Sequence, residues 1–233
     1  LIISHKHRFI HVKCVNVGAT SLEFGLSSLC GPDDIVTPYG YPDPRWEVEG
    51  NRGAQNCYYP LYPPNRPPTR ADTRWVAHTE PSAIMAEFPK EWEDYYTFVT
   101  ERNPWDRIIS HYYEAYYSKK FTGDDVDRPT LSECLDQGLL GVQVTNRRFY
   151  TDSDDNIIVD HVMRYENYDA ELRDFCGRLG VPVPVLPRLH AEFRRDRRHP
   201  SLVLTSKQAE IIAKDSASII REFGYTLHDG IAQ

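Results

Sequence analysis

The run "RFIHVKC", Arg8 to Cys14, is rich in strand-forming residues, its apolar positions interrupted by single polar ones. Between Ser21 and Leu29 the apolar positions return at helical intervals, so a strand, a tight turn and a helix are predicted in succession. "DIVTP" reads as a further short strand. "TEPSAIMAEF" carries helix-start signals, with Thr79 as a cap and Pro81 in the first turn. "DYYTFVT" is a buried-strand run, and it leads into "ERNPWDRIISHYYEAYYSKK". There Asn103 is placed to cap, Pro104 to begin the helix, and Ile108, Ile109, Tyr112, Tyr113 and Tyr116 to form its apolar face. A short helix follows over "LSECLDQGL" and a strand over "NIIVDHVMRYE". A helix spans Tyr168 to Leu179 with Gly180 closing it, and a last helix starts at a Thr205/Gln208 capping box and ends at Gly224. Strands and helices alternate without repeats. The expected class is therefore α/β, with a mostly parallel central sheet flanked by helices.

Composition narrows the setting. The chain has 233 residues, which fits one domain over 1–233 better than two. No apolar run approaches the ~20 residues of a membrane span, and no signal-peptide core opens the chain. Cys14, Cys30, Cys57, Cys134 and Cys176 form no CxxC pair, and no Asn-X-Ser/Thr sequon occurs, which together suggest a reducing, cytoplasmic setting. A formal charge of -7 argues against broad binding to nucleic acid. No spacing suggests a zinc cluster, so no metal is expected. Prolines 38, 42, 44, 60, 63, 64, 67 and 68 rule out regular helix in the stretch 38–68, read here as an ordered loop across one face, with disorder as the alternative.

Two strand-to-helix turns carry the chemistry. In "VNVGATSLEFGL", Gly18, Ala19, Thr20 and Ser21 stand where backbone N–H groups and the helix dipole bind phosphate or sulfate, though the same residues also serve as an ordinary cap and turn. The second turn, "ERNPWDRIISHYY", sets Arg102 past a strand end and Ser110 two helical turns on, a second anion site. Arg102 paired to Asp106 or Glu101 as surface charge is the plainer alternative. Two such sites suit a ligand phosphorylated at both ends.

These segments, "HKHRFIHVKC", "VNVGATSLE", "AHTEPSAIMAEFP", "YYTFVTERNPWDRIISHYY", "VDHVMRYENYDAELRDFCGRLGVP" and "REFGY", resemble in order the bacterial branch of sulfotransferase family 2, related to the Golgi carbohydrate sulfotransferases. The resemblance implies a P-loop-like three-layer fold. It implies transfer of a sulfuryl group from 3′-phosphoadenosine 5′-phosphosulfate (PAPS) to a hydroxyl or amine of a carbohydrate or small molecule, with 3′-phosphoadenosine 5′-phosphate (PAP) as product and no metal. On this basis Val17, Gly18, Ala19, Thr20 and Ser21 hold the 5′-phosphosulfate, and Arg102 and Ser110 the 3′-phosphate. Arg195, within the basic loop 188–198, helps to cover the nucleotide; a solvated loop is the alternative. His78, before the helix that precedes the second turn, takes the place of the catalytic base, with Glu80 the second candidate and a non-functional histidine the alternative.

The chain departs from the family at Asn16. The family's loop has a lysine there, which neutralises charge on the bridging oxygen as the sulfuryl group leaves. An asparagine amide offers that oxygen a hydrogen bond without a full charge, a loss commonly worth about 10²–10³ in rate. Lys13, Lys6 or an arginine of 188–198 are the candidate substitutes, with Lys13 read in the first instance as a solvated strand-end charge. A PAPS- or PAP-binding pseudoenzyme is the second reading. A P-loop kinase is disfavoured by the absence of GxxxxGK[ST]. The tyrosines of "HYYEAYY" are read mainly as packing groups.

Overall fold

The computed structural model of the chain describes residues 1–39, 43–59, 69–117, 128–140 and 145–229. The remainder of the proline-rich stretch, 40–42 and 60–68, lies outside them.

Among the described residues, five strands form one sheet in the order β3-β1-β2-β4-β5, where β1 is Ile2–Ser4, β2 Phe9–His11, β3 Ile35–Val36, β4 Tyr96–Glu101 and β5 His161–Arg164. β2 pairs in parallel with β4, and β4 with β5; β1 runs antiparallel to both β2 and β3. Four strands thus share a direction and β1 alone is reversed, which makes the sheet mixed. Beyond β2 the chain stays extended, with the Val12 N–H donating to the Phe98 carbonyl at 3.0 Å. That extension carries Lys13 and the following turn past the ends of the parallel strands, where ligand crevices of α/β sheets form.

Alternate strand residues feed two separate cores. Ile3, Ile10 and Val99 point to one face with Trp75, Ile84 and Phe149, while Ile2, Phe9, Phe98 and Met163 point to the other with Leu22, Leu26, Leu172 and Phe175. This period-two split is what a sheet covered on both sides requires. One cover consists of α1, Ala19–Leu26, and a later helix, α6, Tyr168–Leu179; the other includes α2, Pro81–Glu87, and α3, Pro89–Asp94. A third cluster packs α4, Pro104–Tyr117, against α5, Leu131–Asp136, and the last two helices. The remaining helices are α7, Pro200–Val203, α8, Ser206–Asp215, and α9, Ala217–Phe223.

Local signals set most boundaries. The Asn103 Oδ1 accepts from the Trp105 and Asp106 N–H groups and so caps α4. Gly180 and Gly224 close α6 and α9 at φ 65 each, a left-handed turn that glycine adopts without steric cost. Thr205 and Gln208 form a reciprocal capping box. Three expectations need correction. Thr79 does not cap α2: its Oγ1 donates to the Val76 carbonyl and accepts from the Val76 N–H, tightening the preceding turn. The predicted last helix is two, broken at Ser216, which adopts φ −111. Strand β1 was not foreseen.

Candidate functional site

A cavity of about 660 Å³ opens where the β2 extension turns into α1. Asn16, at φ 60, and Gly18, at φ 72, both take the left-handed conformation that asparagine and glycine tolerate best. This double reversal throws the start of α1 against the cavity. A Cβ on Gly18 would lie 2.8 Å from the Tyr165 ring, so the position requires glycine on two grounds. The first intrahelical bond runs from Leu22 N–H to the Gly18 carbonyl at 3.2 Å, which leaves the N–H groups of Ala19, Thr20 and Ser21 without a helical acceptor. An anion can be held there by those donors and the helix dipole.

Of the residues singled out in the sequence, Asn16, Gly18, Ala19, Thr20, Ser21, His78, Arg102 and Ser110 all line this one cavity. Val17 and Arg195 do not. The Val17 side chain is fully buried in the hydrophobic core, and the Arg195 guanidinium lies over the Tyr117 ring at 4.5 Å. From the basic loop it is Arg188, Arg194 and Arg197 that reach the cavity wall. Glu80, the second base candidate, lies outside the wall, as the exposed residue before α2.

Arg102 is 6% exposed. Its Nε and Nη2 donate to the Asp106 Oδ2 at 2.7 and 2.5 Å, and its Nη1 to the Asn16 carbonyl at 3.1 Å. Its guanidinium lies 4.2 Å from the centre of the Tyr165 ring. The pairing with Asp106 foreseen as an alternative is therefore present, but buried rather than superficial. Three of the five N–H groups of the fork are engaged by these bonds, and two remain for a ligand. Asp106 also takes Arg194 Nη1 on its other oxygen at 2.5 Å. Burial opposes ionisation of Asp106, yet Arg102 and Arg194 hold its carboxyl below the usual carboxylate range.

The covering segment is tied down at two further points. Ser21 Oγ accepts from the Leu189 N–H at 3.2 Å, and the Tyr39 hydroxyl meets His190 Nε2 at 3.0 Å. Leu186, Pro187, Leu189, Ala191 and Phe193 supply an apolar roof to a cavity whose floor is polar.

His78 Nδ1 lies 3.0 Å from the Lys13 carbonyl. A carbonyl only accepts, so Nδ1 carries the proton and Nε2 keeps a lone pair. The ring is reachable by water through the cavity but hemmed in by protein, and burial, followed by the charge of Lys13, pushes its pKa down to about 4. At neutral pH it is an uncharged base.

Lys13 is not the solvated strand-end charge expected. It is 5% exposed, lines the cavity and donates to Glu23 Oε2 at 2.5 Å. Glu23 is buried in α1; burial would raise its pKa, but Lys13 chief among its neighbours holds it well below the usual range.

Asn16 is a junction. Its Nδ2 donates to Glu114 Oε2, its Oδ1 meets His111 Nδ1 at 3.0 Å, and its carbonyl accepts from Arg102. The carboxylate demands the amide's donor side, so His111 donates to Oδ1. His111 and Glu114 were not assigned to the site from sequence, and only their i, i+3 spacing on the helix carrying Ser110 could have suggested it.

Among the described residues, no group of three or more His, Cys, Asp or Glu side chains is placed to hold a metal ion, and no helix is long and apolar enough to cross a membrane. The chain matches no family model, no curated protein and no solved structure.

Proposed function

We propose that the chain is a PAPS-dependent sulfotransferase with a P-loop-like fold, acting on a hydroxyl or amine of a carbohydrate or small-molecule acceptor. The observation that carries this reading is the convergence of two anion-binding elements, the α1 terminus at Gly18–Ser21 and the Arg102/Ser110 pair, with an uncharged histidine on one cavity wall. Ala19, Thr20 and Ser21 would hold the phosphosulfate through backbone N–H groups, and Arg102 and Ser110 the 3′-phosphate. The donor supplies an activated sulfuryl group; the protein supplies alignment and proton handling. His78 Nε2 accepts the acceptor's proton while the Lys13 carbonyl fixes the ring. The Asp106 carboxylate fixes the arginine fork before any ligand arrives.

A second reading, a PAP-binding pseudoenzyme, is favoured by one observation. Both ends of the Asn16 amide already hold protein partners, so the residue standing in place of the family lysine keeps a single Nδ2 N–H for a leaving oxygen and brings it no charge.

Calorimetric titration with PAP, with 5′-AMP as control, tests the shared premise. Micromolar binding that depends on the 3′-phosphate is expected, and absence of such binding overturns both readings. Turnover of PAPS with an acceptor then separates enzyme from pseudoenzyme.

A further inference from the structure

Two carboxylates line the cavity without a cationic partner among the described residues, Asp169 and Glu114. Asp169 is exposed in the first turn of α6, where the helix dipole favours a negative charge. Glu114 has no such account. It sits half-buried in the last turn of α4, where the dipole disfavours an anion and that turn carries no basic residue. Its Oε2 accepts from Asn16 Nδ2, and no described residue donates to Oε1. His111 beside it is kept neutral chiefly by burial. Meanwhile Lys13 is bound to Glu23, and Arg102 and Arg194 to Asp106. Glu114 thus presents a carboxylate oxygen to the cavity with no cation beside it among the described residues.

Position narrows what that donor is. Glu114 lies four residues past Ser110 on the same side of α4, about 6 Å further along the axis. Arg102, Ser110 and the α1 terminus attract anionic ligand groups, whereas Glu114 repels them. The cavity is therefore polarised along α4, with its anion-seeking part at Arg102 and its cation-seeking part at Glu114.

We propose that Glu114 binds the acceptor and selects for charge, favouring an acceptor with an ammonium group beside the reacting hydroxyl over a neutral one, and rejecting one with a carboxylate there. This rests on the sulfotransferase reading. The acceptor hydroxyl gives its proton to His78 Nε2, a new sulfur–oxygen bond forms to that oxygen, and the bond from sulfur to the bridging oxygen breaks. The electron pair of the broken bond leaves on PAP. Glu114 takes no part in the proton transfer; it receives the N–H donors of the ammonium through Oε1 and sets the acceptor's orientation.

The test uses three acceptors that share one ring and differ in charge: glucosamine, glucose and glucuronate. Sulfate transfer from PAPS is measured as kcat/KM for each, with the intact chain and with Glu114→Gln, and PAP affinity is measured for both proteins by calorimetry. Glutamine keeps an oxygen to accept from Asn16 and removes only the charge. Wild type is expected to prefer glucosamine to glucuronate by about tenfold or more, as befits a charge-assisted hydrogen bond, and the variant to bring that ratio near unity. A purely structural role would lower all three rates together and leave the ratio intact, which overturns the proposal. A wild-type preference for glucuronate, or transfer to none of the three by a protein that binds PAP, overturns it too, while leaving the nucleotide site standing. Failure to bind PAP at all removes the sulfotransferase reading and this proposal with it.

Discussion

Replacing Asn16 with aspartate keeps the shape of the junction and inverts one of its contacts. Aspartate tolerates the left-handed backbone at φ 60 nearly as well as asparagine, and its oxygen still accepts from His111 Nδ1. What changes is the contact with Glu114, where a donated hydrogen bond becomes two facing carboxylates. The hydrogen bond to a charged acceptor is worth about 1.5–3 kcal/mol. Two ionised carboxylates ~4 Å apart would repel by about 4 kcal/mol at an effective dielectric constant of 20, close to the ~4 kcal/mol needed to keep one of them protonated at pH 7. Asn16→Asp should therefore destabilise the protein by roughly 2–4 kcal/mol at pH 7.5. The sign of the pH dependence follows from the shared proton. One pKa of the pair is raised in the folded state above its unfolded value near 4, so the folded variant takes up a proton first as pH falls and regains a hydrogen bond. The deficit relative to wild type should shrink to under about 1 kcal/mol by pH 5. Urea unfolding of both proteins at pH 7.5 and pH 5 measures this directly. A deficit equal at the two pH values, or absent at 7.5, would show that Asn16 and Glu114 are not in contact.

Gly18→Ala should cost about 1–2 kcal/mol for the left-handed backbone, with a further penalty from the Tyr165 ring 2.8 Å away, and should abolish PAP binding in calorimetry while the fold persists by circular dichroism. Lys13→Met removes one of two cationic partners of the buried Glu23 carboxylate, the other being the Leu1 amino group, and should lower stability by about 3 kcal/mol, with the double variant Lys13→Met/Glu23→Gln recovering much of it in thermal unfolding. His78, held neutral down to about pH 4, should leave kcat/KM nearly flat between pH 6 and 8, with an acid limb centred near pH 4 as the ring protonates; a limb centred at pH 6.5 or above would contradict the depressed pKa.

Elements whose causes are local could be read from the chain alone. The α4 cap at Asn103, the capping box at Thr205 and the glycine stops at 180 and 224 each depend on residues within four positions. The β1–β2 hairpin could not be read this way. Its turn reverses at Arg8, at φ 55, with no glycine or asparagine to mark it, and Asp34 holds it from a distance by accepting from Ser4 Oγ and the Lys6 N–H. The site divides along the same line. The Gly18–Ser21 turn and the Arg102/Ser110 pair are contiguous motifs and were visible as such. The junction of Asn16 with Glu114, the burial of Lys13 by Glu23 and the choice of Arg194 over Arg195 depend on contacts between segments far apart in sequence or on the turn of a loop. Lys13 was misjudged because a charged strand end is ordinarily solvated, and the partner that overrides this lies on the next helix.

Asp106 serves two arginines from two segments, one rising from the sheet and one reaching down from the roof of the cavity. Any replacement of the roof segment, by drift or by grafting, therefore alters the electrostatic setting of Arg102 as well as the apolar wall of the cavity. A roof lacking an arginine at position 194 would leave Asp106 to Arg102 alone, tightening that pair and making the fork less available to a phosphate. Recombining this cavity with a foreign roof would thus call for a compensating change at Asp106, so that the anion-binding fork and the apolar wall above it are inherited together.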